Sequence, residues 1–190
     1  MISPTDTPFF KRLTALYARM DEAWKTAAAH YGFVCRGCPE NCCETEFYHH
    51  THIERNYLLS GLATLALPMV ETIQAKAVDV CKARAATEVT GEPLRVMCPL
   101  NSDGLCQLYR FRPMICRLHG IPHELTRPGA IPSRQPGCRA GGHLFDSASY
   151  HQFDRTPFYT EMAQIEMDYR RATNNQTRLK LTIAEMVLPR

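Results

Sequence analysis

The sequence predicts a mainly α single domain spanning residues 1–190, with helices packed around an irregular cysteine-rich metal-binding centre. Three observations predict it. Two amphipathic patterns longer than three turns flank the middle of the chain, and over most of its length no strand-length alternation of apolar and polar residues competes with them. All nine cysteines fall between Cys35 and Cys138. The stretch from 98 to 142 is rich in Pro, Gly, Arg and Cys and poor in periodicity, so a metal is the available agent to hold it.

The first helix opens on Thr7 as N-cap and Pro8 in the first turn, and Phe9, Leu13, Tyr17, Met20, Trp24 and Ala27 then recur at helical spacing. It closes near His30 to Gly32, and its aromatic stripe reads as core packing. Thr51 and Glu54, three apart ahead of an apolar patch, predict a capping box for a short helix running to about Ser60, with Gly61 beyond its end. His49, His50 and His52 precede that helix; solvated loop histidines are the commoner case, and they stay outside the ligand set. Pro68 opens a third helix through about Ala86, with Ile73, Ala77, Val80, Cys81 and Arg84 along one side. Cys81, inside this stripe with no nearby sulfur, reads as a small buried hydrophobe apart from the metal set.

Thr90, Gly91 and Pro93 break the pattern, residues 94–97 form a short extended segment, and residues 101–104 carry turn chemistry between Cys98 and Cys106. Residues 150–153 are ambiguous. Thr156 with Pro157 starts another helix, with Phe158, Met162, Ile165 and Tyr169 at core spacing, and Thr182 with Glu185 caps a last short one.

Composition excludes several classes. The N-terminal ten residues carry Asp6 and two prolines and have no apolar core, so no signal peptide is expected. The longest apolar run, residues 62–70, is broken by Thr64 and Pro68 and is far short of the ~20 residues a membrane span needs. The cytoplasm is the expected compartment, where dense cysteine reads as metal binding or catalysis rather than disulfides. The formal charge of +3 counts every cysteine as neutral. Two four-thiolate sites at about −2 each would bring it to roughly −1, so the basic composition argues little for a nucleic-acid partner. Finger spacing and a basic helix interleaved with aromatics are both missing, and nucleic acid and membrane are disfavoured as partners.

The cysteines fall into two groups. Cys35, Cys38, Cys42 and Cys43 lie in one loop, V-C-R-G-C-P-E-N-C-C, where the two-residue gap between Cys35 and Cys38 lets a tight turn aim both sulfurs at one ion. Adjacent Cys42 and Cys43 diverge in an extended backbone, which suggests two metals or two irons of one cluster. Cys98, Cys106, Cys116 and Cys138 make a second, looser set that only folding can gather. Eight thiols in two groups match the needs of two four-coordinate sites, with zinc, iron or a [4Fe–4S] cluster all open.

Residues 35–43 fit C-x2-C-x3-C-C, and residues 98–117 read C-P-L-N-S-D-G-L-C-Q-L-Y-R-F-R-P-M-I-C-R. Together, over roughly residues 33–142, they resemble the CxxCxxxCC cysteine-cluster family, also called YkgJ-type, described as zinc- or iron-chelating proteins. That family has no single established activity; a similar module in flagellin lysine methylases is associated with an iron–sulfur cluster. The resemblance implies Cys35, Cys38, Cys42, Cys43, Cys98, Cys106 and Cys116 as ligands, with Arg112, Pro113 and Arg117 as framework. Many relatives close the module with C-P-G, whereas this chain has Gln135, Pro136 and Gly137 and then Cys138.

Arg110, Arg112, Arg117 and Arg139 crowd the second cysteine group. They either offset thiolate charge and receive an anion, or bond loop carbonyls and nearby acids. Tyr109 and His119 invite acid–base roles but belong to no recognisable catalytic constellation. Phosphate-cradling loops, nucleophile elbows and dinucleotide fingerprints are absent from the sequence. Two expectations stand: a metal-binding protein acting in metal handling or in binding a protein partner, and an iron–sulfur-dependent redox or protein-modifying enzyme. The second rests on the resemblance.

Overall fold

Apolar residues spaced three and four apart make the first helix one-sided, and the computed structural model, which describes residues 6–35, 42–90 and 95–189, shows that side buried. In chain order the elements are α1 (Asp6–His30), α2 (His52–Leu62), α3 (Leu67–Thr90), β1 (Asn101–Ser102), β2 (Leu105–Cys106), α4 (Met114–Leu118), β3 (His123–Leu125), β4 (Ser133–Gln135), α5 (Gly142–Ser147), α6 (Thr156–Ala172) and α7 (Ile183–Val187). Single 3-10 turns occupy Cys42–Glu44, Tyr109–Phe111 and Arg139–Gly141. The chain is mainly helical and forms one domain, as the periodicity predicts.

Phe10, Leu13, Leu16, Tyr17, Met20 and Ala27 of α1 are all buried. The helix ends where the sequence places it. Gly32 takes a left-handed φ of 62°, and the Phe33 and Gly32 N–H groups donate back to the Ala28 and Ala29 carbonyls at 2.8 and 3.1 Å. This pairing satisfies two carbonyls that the last turn otherwise leaves open.

Two apolar clusters result. One joins the α1 stripe to Met162, Ile165 and Tyr169 of α6, with Leu118, Ile121 and Phe145. The other joins Leu58 and Leu62 of α2 to Ile73 and Ala77 of α3, Leu100, Leu108, and Met186 and Val187 around α7. Helix α2 is the shared wall, since Ile53 faces the first cluster while Leu58 and Leu62 face the second. At ~1.5–3 kcal/mol for each fully buried large side chain, these clusters hold the helices around the cysteine segments.

The start of α2 departs from the capping box. Thr51 is the N-cap but makes no side-chain bond to the backbone; its hydroxyl donates to the Glu54 carboxylate at 2.6 Å. The open N–H groups of His52 and Ile53 instead donate to Glu166 of α6, at 2.9 and 3.0 Å. Tertiary packing supplies a carboxylate to the positive helix end, which frees Glu54 for other partners. Gly61 is not past the helix end: α2 runs on through Leu62, and α3 runs on through Thr90.

The proline- and glycine-rich middle is less irregular than its composition suggests. Residues 95–98 lack regular structure, and residue 94 lies outside the described residues. Asp103 and Gly104, with φ of 53° and 81°, close a two-residue hairpin in which Asn101 pairs with Cys106. A second hairpin pairs His123 with Gln135 and Leu125 with Ser133. The ambiguous stretch around 153 runs along it, the Glu124 N–H donating to the Phe153 carbonyl at 2.9 Å. At α7 the predicted capping box is complete, with the Glu185 N–H donating to Thr182 and the Thr182 N–H to Glu185. No helix among the described residues is long and apolar enough to cross a membrane.

Candidate metal centre

The two cysteine segments meet through backbone before sulfur is considered. Cys42 and Cys43 lie in a 3-10 turn, and the Cys98 N–H donates to the Cys43 carbonyl at 2.9 Å. The β1–β2 hairpin carries Cys106 back beside Asn101, and α4 carries Cys116 into the same lining. Cys35, Cys42, Cys43, Cys98, Cys106 and Cys116 consequently line a single cavity of about 230 Å³, walled also by Trp24 of α1, Val80 of α3 and Ile183 of α7. None of the eight described cysteines is in a disulfide.

Electrostatics show how closely these thiols sense one another. Burial raises the Cys116 thiol well above its ordinary value, and the nearby Cys98, Cys106 and Cys43 raise it further. Cys98 is pushed up to about 12, again chiefly by burial and then by Cys43 and Cys106. Burial also raises Cys106. The adjacent Cys42 and Cys43 thiols titrate as a pair: the hydrogen bond between them eases the first ionisation and suppresses the second. Crowded, partly desolvated thiols repel one another's anions, and a bound cation would reverse that penalty. Softness and number suit zinc or iron. Among the described residues no group of three or more His, Cys, Asp or Glu side chains is already drawn together at the span of one ion. The sulfurs line the cavity wall.

Arg112 and Arg117 have settled partners. Arg117 gives Nη1 to Asp21 at 2.6 Å, Nε to the Arg112 carbonyl at 2.9 Å and Nη2 to the Arg110 carbonyl at 2.6 Å. Arg112 bonds the other Asp21 oxygen at 3.0 Å and the Tyr109 carbonyl at 2.9 Å. For these two the reading as carbonyl and acid partners holds; they fold the 109–117 loop onto α1. Arg110 is exposed, and Arg139 lies outside the cavity lining. Both Tyr109 and His119 do line the cavity. Burial and then Arg155 lower the His119 pKa below its ordinary value.

Other sequence expectations are met differently. Cys38 lies outside the described residues. Cys138 is absent from the cavity lining: its N–H donates to the Gly120 carbonyl at 3.0 Å and its side chain packs on the α1 cluster. Gly137 packs against Gly120 and Pro122, which sets Cys138 beside residues 120–122 rather than in the cavity lining. Cys81 keeps its place in the apolar stripe of α3 yet also lines the cavity, near Arg84 and Glu185. His49 is buried rather than solvated, because its backbone pairs with Leu181. His50 and His52 bond the Leu179 and Thr177 carbonyls, and none of the three histidines lines the cavity.

Spacing alone overlooks Asp21, Trp24 and Glu54. Asp21 anchors both arginines, the Trp24 indole N–H donates to the His119 carbonyl at 2.8 Å, and Glu54 accepts the Met114 N–H at 2.7 Å. Each acts on a segment more than fifty residues away in sequence, so local pattern marks Trp24 only as core and Glu54 only as a cap, and Asp21 not at all. Compared with protein-family models, with curated proteins and with solved structures, the chain matches none of them.

Proposed function

We propose that this chain is a cytoplasmic metal-binding protein that holds zinc or iron, as ions or as an iron–sulfur cluster, through Cys35, Cys38, Cys42, Cys43, Cys98, Cys106 and Cys116, and that it acts in metal handling or in binding a protein partner. The observation that carries this reading is the gathering of six cysteines from three separated chain segments around one cavity. Apolar packing does not account for thiols whose ionisations oppose one another. When bound there, zinc supplies folding free energy, and an iron cluster adds electron transfer.

The chain's own residues contribute three things. The Cys98–Cys43 backbone bond and the β1–β2 hairpin bring two ligand segments together without metal. Asp21 and Arg117 fix the third. Trp24, Val80 and Ile183 wall the cavity and limit water, which strengthens thiolate–metal attraction.

A redox or protein-modifying enzyme is the second reading. It is favoured by a cavity lining that adds His119, Tyr109 and Arg84 to the sulfurs. Anaerobic purification with a visible absorption spectrum and metal analysis tests both. Zinc or iron bound in stoichiometric amounts supports metal binding, a cluster chromophore favours the redox reading, and a chain purified anaerobically with neither metal, and taking up neither on addition, rejects both.

A further inference from the structure

Glu54 is only 3% exposed, yet it forms no ion pair among the described residues. It accepts three hydrogen bonds from neutral donors: the Tyr17 hydroxyl at 2.9 Å, the Met114 N–H at 2.7 Å and the Thr51 hydroxyl at 2.6 Å. Burying a polar side chain is costly unless it is hydrogen-bonded, and these three bonds fix the Glu54 side chain in place. The Met114 N–H opens α4, the five-residue helix that carries Cys116 two positions on.

Cys116 is gripped from its other side as well. Arg117 stacks on the Tyr17 ring at 4.0 Å from its centroid while bonding Asp21. Tyr17 is therefore a common anchor on α1, its hydroxyl on Glu54 and its ring face on Arg117. The residues flanking Cys116 are fixed to helices, and the 109–118 segment itself holds only a 3-10 turn and the five-residue α4.

We propose that Glu54 is a positioning residue for Cys116, holding the first turn of α4 so that this sulfur faces the metal; the inference rests on the reading of the cavity as a metal centre. A thiolate ligand must be placed to within a few tenths of an ångström, and a buried acceptor on a neighbouring helix does this better than a loop.

Anaerobic titration of the full chain with Co²⁺ and Zn²⁺ tests it. Glu54→Leu is expected to weaken Co²⁺ binding about 10–100-fold and to diminish the thiolate-to-cobalt charge-transfer absorption. Glu54→Gln, whose amide oxygen still accepts from Met114, restores most of both. Tyr17→Phe gives a smaller loss in the same direction. In a Cys116→Ser background neither Glu54→Leu nor Tyr17→Phe produces a further loss. An equal loss in that background overturns the proposal, as do wild-type affinity and spectrum in Glu54→Leu. If Glu54→Leu does not fold, Tyr17→Phe compared in the two backgrounds decides. A wild-type chain that takes up neither ion overturns the reading of the cavity itself, before any variant is compared.

Discussion

The N–H of Cys98 donates to the carbonyl of Cys43 at 2.9 Å. Through this bond two cysteine segments separated by α2 and α3 share a backbone contact that depends on no sulfur. The arrangement leaves Cys116, on a short helix held by side chains, as the ligand most dependent on its supports.

Cys116→Ser and Cys43→Ser are expected to lower metal content and weaken Co²⁺ binding without abolishing it, whereas Cys138→Ser, outside the cavity lining, retains metal and costs only about 1 kcal/mol of packing. Cys81→Ser is also expected to retain metal, because the neighbours that act on its thiol are Glu185 and Arg84 rather than other cysteines. Metal analysis of the four variants checks this. Structural zinc contributes an apparent ~10–16 kcal/mol in small peptides, so chelation should speed hydrogen exchange across residues 95–118 more than across α1 or α6.

Acid should loosen α7. Burial alone would raise the Glu185 pKa, but the Thr182 N–H and hydroxyl together with Arg84 pull it below its ordinary 4.5. A depressed carboxylate contributes stability that is present above its unfolded value and lost as pH falls through the folded one, so the loss belongs below about pH 4.5. Thr182→Ala should cost about 1 kcal/mol at neutral pH by removing the cap. Urea denaturation of wild type and variant at pH 7 and pH 4 measures both.

A second acid effect lies at higher pH. Burial, then Arg155, lowers the His123 pKa from 6.5 to about 4, against the opposing Ile121 carbonyl. The unfolded chain takes up a proton below 6.5 that the folded one refuses, so stability is full above that pH and declines as pH falls toward 4. The ring is half buried, and the slope is a fraction of the ~1.4 kcal/mol per pH unit that a fully buried proton would give. His123→Gln should flatten the decline between pH 7 and pH 5 in denaturant melts.

Gly61→Ala sets two terms against each other. Alanine favours a helix interior over glycine by ~1 kcal/mol, but a Cβ at this position would stand 2.3 Å from Cγ of Phe111. Ring carbons next to the backbone cannot swing aside, and overpacking costs ~1–3 kcal/mol. Net destabilisation is expected, and Gly61→Ala combined with Phe111→Ala should recover the helix term relative to Phe111→Ala alone; denaturation midpoints of the three variants and wild type report it.

Features closed within a few residues were legible in the sequence. The α1 stripe and its Gly32 terminus, the Asp103–Gly104 turn, the Pro157 start of α6 and the Thr182–Glu185 box each depend on side chains within one or two turns of each other. Six of the eight cysteines that spacing and resemblance single out line one cavity, the first group legible from its short spacing and the second from the resemblance. Only the tertiary structure decided the rest. Glu166 arrives from α6 to cap α2 and leaves Glu54 free to bond Tyr17 and Met114, although Thr51 and Glu54 have the local spacing of a capping box. Cys138 lies outside the cavity lining and Cys81 reaches its wall because packing across the whole fold, rather than sequence spacing, determines where each sulfur lies. A hydrogen-bonding group takes whichever partner the packed helices bring within about 3 Å, and that choice is made by apolar contacts distributed over the whole chain.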